Sequence, residues 1–356
     1  MTTIEPTTVL EARHLSRHFT QRSTAGWFGA KRVNRAVDDV SLHLDTGRVT
    51  AVVGESGSGK SVLARMLARI VTPTSGDLVL NGEPIPIRSK RTLQYASEVQ
   101  LVLQDPFASI NPVHRIRHSL ERPLLIHGAT NRNVAELSEA ALRRVSLEPA
   151  SRFLDSYPHE LSGGQLQRIS IARALCVKPK VLLADEPISM LDVSVRLGVL
   201  NLLRDLCDDE QLAILYITHD IASARYLADE TLVMYAGQVV EQSSGTTLID
   251  EPAHPYTQLL IASVPDPTDP TRLASGSSDR RSLAPIADTG CHFSSRCPQA
   301  LDVCRTSEPP MFDVGDGHVA RCWLHRDGAE AIDLSLPAPT RRNHYEKMTT
   351  ASRRRH

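Results

Sequence analysis

This chain of 356 residues has few aromatics, 4% in all, and almost no excess of either charge, with 40 Lys and Arg against 41 Asp and Glu. Scarce aromatics weigh against a protein that stacks nucleic-acid bases. A formal net charge of -1 gives no bulk attraction to nucleic acid or to an anionic membrane. No apolar run approaches the length of a spanning helix and the N-terminus has no signal-peptide pattern, so the sequence reads as soluble. Internal repeats and heptads are also lacking. Six cysteines are present, yet in a chain of cytosolic character they argue against a disulfide scaffold.

What is present is an ordered series of phosphate-handling motifs. Gly54-Glu55-Ser56-Gly57-Ser58-Gly59-Lys60-Ser61 fits the phosphate-loop pattern G-x-x-x-x-G-K-[ST]. The β-branched run Val49–Val53 predicts a buried parallel strand before it, and apolar spacing through Ser61–Ile70 predicts a helix after it. Strand, glycine loop and helix start bring backbone N–H groups onto a polyphosphate. Lys60 would reach the β- and γ-phosphates, and the Ser61 hydroxyl would ligate Mg²⁺. A second apolar run closes on Asp185 and Glu186, at the strand end where α/β sheets bind ligands. Asp185 would hold magnesium, largely through water, and Glu186 is the candidate general base. Leu212–Thr218 predicts another buried strand ending at His219, placed to orient the attacking water. Gln104 closes the run Val102-Leu103 and could contact Mg²⁺ or that water. Taken singly, each piece also reads as a plain turn, a solvated strand end or a surface residue; the ordered series weighs against that.

Ser162-Gly163-Gly164-Gln165 opens a further predicted helix, with Ser162 as N-cap. It forms a second anion site at a helix start. One chain therefore carries two half-sites for phosphate, which a single ATP on one subunit does not need.

These motifs resemble the ATP-binding cassette (ABC) ATPases from about Val9 to Asp250. The resemblance implies an α/β P-loop NTPase fold, an ABC-type nucleotide-binding domain over residues 8–250, with a helical subdomain at about 106–172. It also implies two subunits sandwiching two nucleotides, with Ser162 and Gly164 acting across the interface and Asp192 in the loop between subunits. Phe19 matches the aromatic that stacks on adenine. Met190 and Ile188 depart from the family's usual Ala and Thr.

The finer resemblance, carried by Gln104–Pro112, Tyr157–Ser162, His254-Pro255-Tyr256-Thr257 and the C-terminal cysteines, is to the ATPases of oligopeptide and dipeptide importers. It implies ATP hydrolysis that powers peptide import, on the cytoplasmic face of the cell membrane. Implied partners are a second ATPase, two transmembrane permeases and an extracytoplasmic solute-binding protein, with no nucleic acid. The insertion Thr20–Asn34, with Trp27 and Phe28, resembles the second of two paired ATPases and favours a heterodimer. Nickel or another small solute is the alternative cargo. A soluble cassette acting on ribosomes or DNA is less in keeping with one phosphate loop and no coiled coil.

Cys176 and Cys207 fall in helical patterns and read as packing residues. Cys291, Cys297, Cys304 and Cys322 cluster at gaps of five, six and seventeen residues, which is neither zinc-ribbon nor ferredoxin spacing. Spacing alone leaves the metal open. The peptide-importer resemblance implies a 4Fe-4S cluster with a structural role, in a small Cys-rich C-terminal region over 251–326, with zinc as the alternative. Pro265–Ser282 reads as a linker, and 327–356, ending in Arg353-Arg354-Arg355-His356, as a disordered tail.

Overall fold

A computed structural model describes residues 7–22, 31–87, 89–263, 287, 289–327 and 331–332. Trp27 and Phe28, the linker 265–282 and the basic tail lie outside the described residues. Among the described residues thirteen strands form two sheets. The smaller is antiparallel, in the order β2 (Lys31–Asp45), β1 (Thr8–Arg22), β4 (Ser75–Leu80), β5 (Glu83–Ile85). The larger has a parallel centre, where β3 (Val49–Val53) lies beside β8 (Ala213–Thr218), followed by β7 (Val181–Asp185) and β6 (Val99–Val102). On the other side β3 pairs in parallel with β9 (Glu230–Tyr235), and β10 (Gln238–Ser244) follows antiparallel.

The central parallel strands β3, β7 and β8 are buried along their whole length, as both faces are covered. One apolar cluster, with Leu63, Met66 and Val52, fills the space between the two sheets. The other, with Leu166, Leu182 and Tyr216, lies on the opposite face under the helices. Residues 106–160 are helical, in short segments that include Ile116–Ile126 and Val134–Arg144. The helix after the phosphate loop runs Lys60–Leu67, shorter than expected, because Arg69 takes a left-handed φ of 55°.

Past residue 300 the chain returns to the large sheet. Strands β11 (Met311–Gly315) and β12 (His318–Ala320) form a hairpin whose β12 pairs with β10, and β13 (Ala331–Ile332) adds to β11. The joint is a buried polar knot. Glu241 is fully buried; its carboxylate accepts from the N–H groups of Ala253 (2.8 Å) and His254 (2.8 Å) and lies 2.7 Å from His318 Nε2. His254 Nδ1 in turn accepts from the N–H of Tyr256 (3.0 Å) and caps the helix Pro255–Ala262.

Burial holds the His254 pKa down to about 4, with nearby His325 adding and Glu241 opposing. The ring is thus neutral when folded, whereas the unfolded chain takes a proton near pH 6.5. Stability is complete above that pH and falls as pH drops toward about 4, by about 3 kcal/mol in total. Urea midpoints between pH 7 and 4.5 are expected to fall. His254→Asn keeps a capping acceptor and should remove that share of the slope; an equal slope in both proteins would refute this origin.

Candidate functional site

The carboxyl ends of β3, β7 and β8 open onto one cleft of about 1470 Å³, lined by Lys60, Ser61, Gln104, Glu186 and His219 together with Phe19. The phosphate loop curls at its head because Gly54 follows β3 directly and Gly59 is the N-cap of the following helix. Gly59 has φ +105°, and a Cβ there would stand 2.1 Å from the Ala36 carbonyl. Ser56 and Gly57 also line the cleft, while Ser58 is buried and its hydroxyl has no partner among the described residues. Lys60 is folded back, donating to the carbonyls of Gly54 (2.7 Å) and Glu55 (2.9 Å). Burial lowers its pKa, against the fields of Glu186, Asp185 and Glu55.

The Ser61 hydroxyl donates to Asp185 Oδ1 at 2.9 Å. Burial raises the Asp185 pKa, the Ser61 bond opposes this, and Glu186 adds to it. Gln104 Nε2 donates to Glu186 Oε2 at 2.9 Å, and His219 Nδ1 lies 3.3 Å from the same oxygen. Glu186 itself has a left-handed φ of 46°, which turns it out of the strand line after Asp185. So Gln104 and His219 meet at the Glu186 carboxylate, next in sequence to the Asp185 that holds Ser61. A hydroxyl beside a carboxylate, with an amide carbonyl close by, is an oxygen donor set that fits Mg²⁺, whose other ligands are phosphate and water.

Phe19, on β1, lines the same cleft with the Arg17 guanidinium 4.6 Å from its ring centre. Ser162, Gly163, Gly164 and Gln165 do not line it. The helix Gly163–Leu175 is closed by a capping box: Ser162 Oγ accepts from the Gln165 N–H (3.3 Å) and Gln165 Oε1 from the Ser162 N–H (2.9 Å). The N–H groups of Gly163 and Gly164 have no acceptor among the described residues. A Cβ on Gly164 would stand 2.4 Å from Val195 Cγ1, so only glycine lets this helix start pack as it does. Met190 lines the cleft and is exposed, whereas Ile188 is buried.

Cys207 is buried in the helix Val193–Glu210 and Cys176 caps a helix end. Cys291, Cys297, Cys304 and Cys322 are all free, and Cys322 lies within electrostatic reach of the other three. Burial raises the thiol pKa of Cys291 to about 11 and of Cys322 to about 12. Among the described residues no group of three or more His, Cys, Asp or Glu is arranged to hold a metal ion, which leaves the expected iron–sulfur cluster without support. No described helix is long and apolar enough to cross a membrane.

Sequence reasoning missed two contributions to this site. His292 and Ala287, from the C-terminal region, line the cleft. Arg296 is ion-paired to Glu55 of the phosphate loop at 2.9 Å. No local signal marks either, because both depend on how residues past 286 dock.

The family model described as "ABC transporter" matches residues 37–189, and that for the "Oligopeptide/dipeptide transporter, C-terminal region" matches 240–304. The chain is 42% identical over 310 residues to a di/tripeptide transport ATP-binding protein, DppF, of Pseudomonas aeruginosa, covering 85% of this chain and 94% of that one. It is 39% identical over 337 residues to the oligopeptide transport ATP-binding protein AppF of Bacillus subtilis, covering 91% and 100%. Among solved structures, cbiO1 of Clostridium perfringens, part of an ABC transporter complex, aligns with a TM-score of 0.59 at 25% identity, over 68% of this chain and 91% of that one. A dimeric ATP-binding cassette, MJ0796, bound to ADP and Pi, aligns at 0.57 and 24%, over 66% and 98%.

Lys60→Met removes the donor to two carbonyls of the phosphate loop and the charge that faces the cleft. Affinity for ATP, titrated by a fluorescent analogue, is expected to drop by roughly tenfold or more; unchanged affinity would remove Lys60 from the site.

Proposed function

This chain belongs to the ATP-binding subunits of the peptide ABC transporters, and on that premise we propose that it hydrolyses ATP to drive import of di-, tri- or oligopeptides. The observation that carries the catalytic reading is the meeting of Ser61, Asp185, Gln104, Glu186 and His219 at the head of the phosphate loop. Peptide cargo rests on relatives matched over nearly their whole length, C-terminal region included. They give nickel no comparable support.

The residues divide the work as follows. The loop amides from Gly54 to Ser61 cradle the β- and γ-phosphates, and Lys60 swings its ammonium from the two carbonyls onto them. Magnesium, when bound at Ser61, Asp185 and Gln104, neutralises phosphate charge. Glu186 takes the proton from the attacking water, held at its oxygen Oε2 by Gln104 and His219. Phe19 packs on adenine. Ser162, Gly163, Gly164 and Gln165 offer their helix start to the nucleotide of a facing subunit, since the amides of Gly163 and Gly164 have no acceptor among the described residues and this segment does not line the chain's own cleft. The facing subunit is a second ATPase, a heterodimer in keeping with the insertion 20–34. Closure of the pair moves two permeases, fed by an extracytoplasmic binding protein, with this chain peripheral on the cytoplasmic face. Residues 8–250 make the ATPase domain and 251–326 the C-terminal region, whose four cysteines are kept as ligands of an iron–sulfur cluster.

Glu186→Gln should retain ATP binding, lose turnover by about a hundredfold or more and accumulate as a closed dimer on size exclusion. Wild-type turnover would remove Glu186 as the base. Failure of a strain deleted for this chain to lose peptide uptake would overturn the cargo. Anaerobic purification is expected to give a brown protein; a colourless, iron-free one would end the cluster proposal and leave the ATPase reading standing.

A further inference from the structure

Glu55, second residue of the phosphate loop, has every polar group engaged, its N–H and its carboxylate by residues outside the loop. Its N–H donates to the Tyr256 hydroxyl at 2.8 Å, and its carbonyl accepts from Lys60 at 2.9 Å. Its carboxylate is gripped by both terminal nitrogens of Arg296, each at 2.9 Å. Arg296 sits in the tight turn between Cys291 and Cys297, where the N–H groups of Arg296 and Cys297 both donate to the Phe293 carbonyl at 2.9 Å. Its guanidinium lies against the rings of Tyr235 (5.5 Å) and Phe293 (5.6 Å), and Phe293 is buried. His292 of the same turn lines the cleft, its Nδ1 buried with no partner among the described residues.

The Glu55 side chain is 41% exposed, against 10% for Arg296. Folding supplies one reason for this two-pronged grip across 241 residues of sequence, since the mostly buried Arg296 needs an acceptor. Its place gives a second. A carboxylate whose field reaches Lys60 also opposes a polyphosphate held there, and Arg296 offsets that charge while fixing the residue whose carbonyl accepts from Lys60.

We infer that Arg296 is a positioning residue for the nucleotide site, acting through Glu55, so that the docked C-terminal turn sets this chain's affinity for ATP. The inference rests on the ATPase reading above. Arg296 touches no reacting atom; it acts by charge cancellation and by holding the loop.

The test measures affinity for Mg-ATP calorimetrically in the full chain carrying Glu186→Gln, which suppresses turnover. Adding Arg296→Ala is expected to weaken binding by roughly tenfold, and Glu55→Gln alone by far less. The decisive variant is the double one. Glu55→Gln removes the stranded carboxylate, so the pair Glu55→Gln/Arg296→Ala should bind within a few-fold of the parent. Arg296→Met, which keeps the contact with Tyr235 and Phe293, carries the same expectation if the alanine variant does not fold. Parental affinity in the Arg296 variant, or weak binding that Glu55→Gln does not rescue, would overturn the inference and leave Arg296 a fold anchor. A parent that binds no Mg-ATP would instead strike the ATPase reading itself.

Discussion

A buried ammonium governs this molecule. Lys60 is only 4% exposed, and burial of a charge is costly unless acceptors and opposite charge surround it. The chain supplies both: the carbonyls of Gly54 and Glu55 as acceptors, and Asp185, Glu186 and Glu55 as a carboxylate field. That solution surrounds the ammonium with the fields of three carboxylates, whose charge opposes a polyphosphate held there. Two features offset it. Arg296 takes up the Glu55 charge, and the Ser61–Asp185 pair is a hard-oxygen seat for a divalent cation.

The same constraint explains why the C-terminal region is not a loose appendage. Strand β12 pairs with β10 of the main sheet, and the Glu241 knot ties His254 and His318 to one buried carboxylate. His254 caps the helix that carries Tyr256, and the Tyr256 hydroxyl holds the Glu55 N–H. A line of hydrogen bonds therefore runs from strand β10 to the phosphate loop, and Arg296 closes a second line from the cysteine turn. Breaking the knot would leave Glu241 buried without its donors, which is far worse than never having buried it.

The phosphate loop, the strands at Val49–Val53 and Leu212–Thr218 and the helix behind Ser162 were legible in the sequence. Each is encoded locally: β-branched apolar runs make buried strands, and glycines next to a lysine make an anion cradle. The hairpin of β11 and β12 was equally available, for Asp316-Gly317 with φ of 51° and 73° is the two-residue turn chemistry that joins adjacent strands. It went unread because prolines and cysteines dominate the neighbourhood. Arg296, Tyr256 and His292 were out of reach for a different reason. Their partners lie 201 to 241 residues away, or across the cleft, and no periodicity records a contact of that range.

Ser162 shows how geometry sharpens a puzzle that sequence can only pose. The capping box spends the Ser162 hydroxyl on the Gln165 N–H and the Gln165 side chain on the Ser162 N–H, so neither is what an incoming phosphate would find first. The amides of Gly163 and Gly164 are what remain, and Val195 forbids any larger residue at 164. A helix start kept this bare, and set away from the chain's own cleft, has value only if an anion comes from elsewhere. The proposed facing subunit supplies one. Hydrolysis under that proposal is inseparable from closure, because neither half of the site holds the γ-phosphate on both sides until the two chains meet.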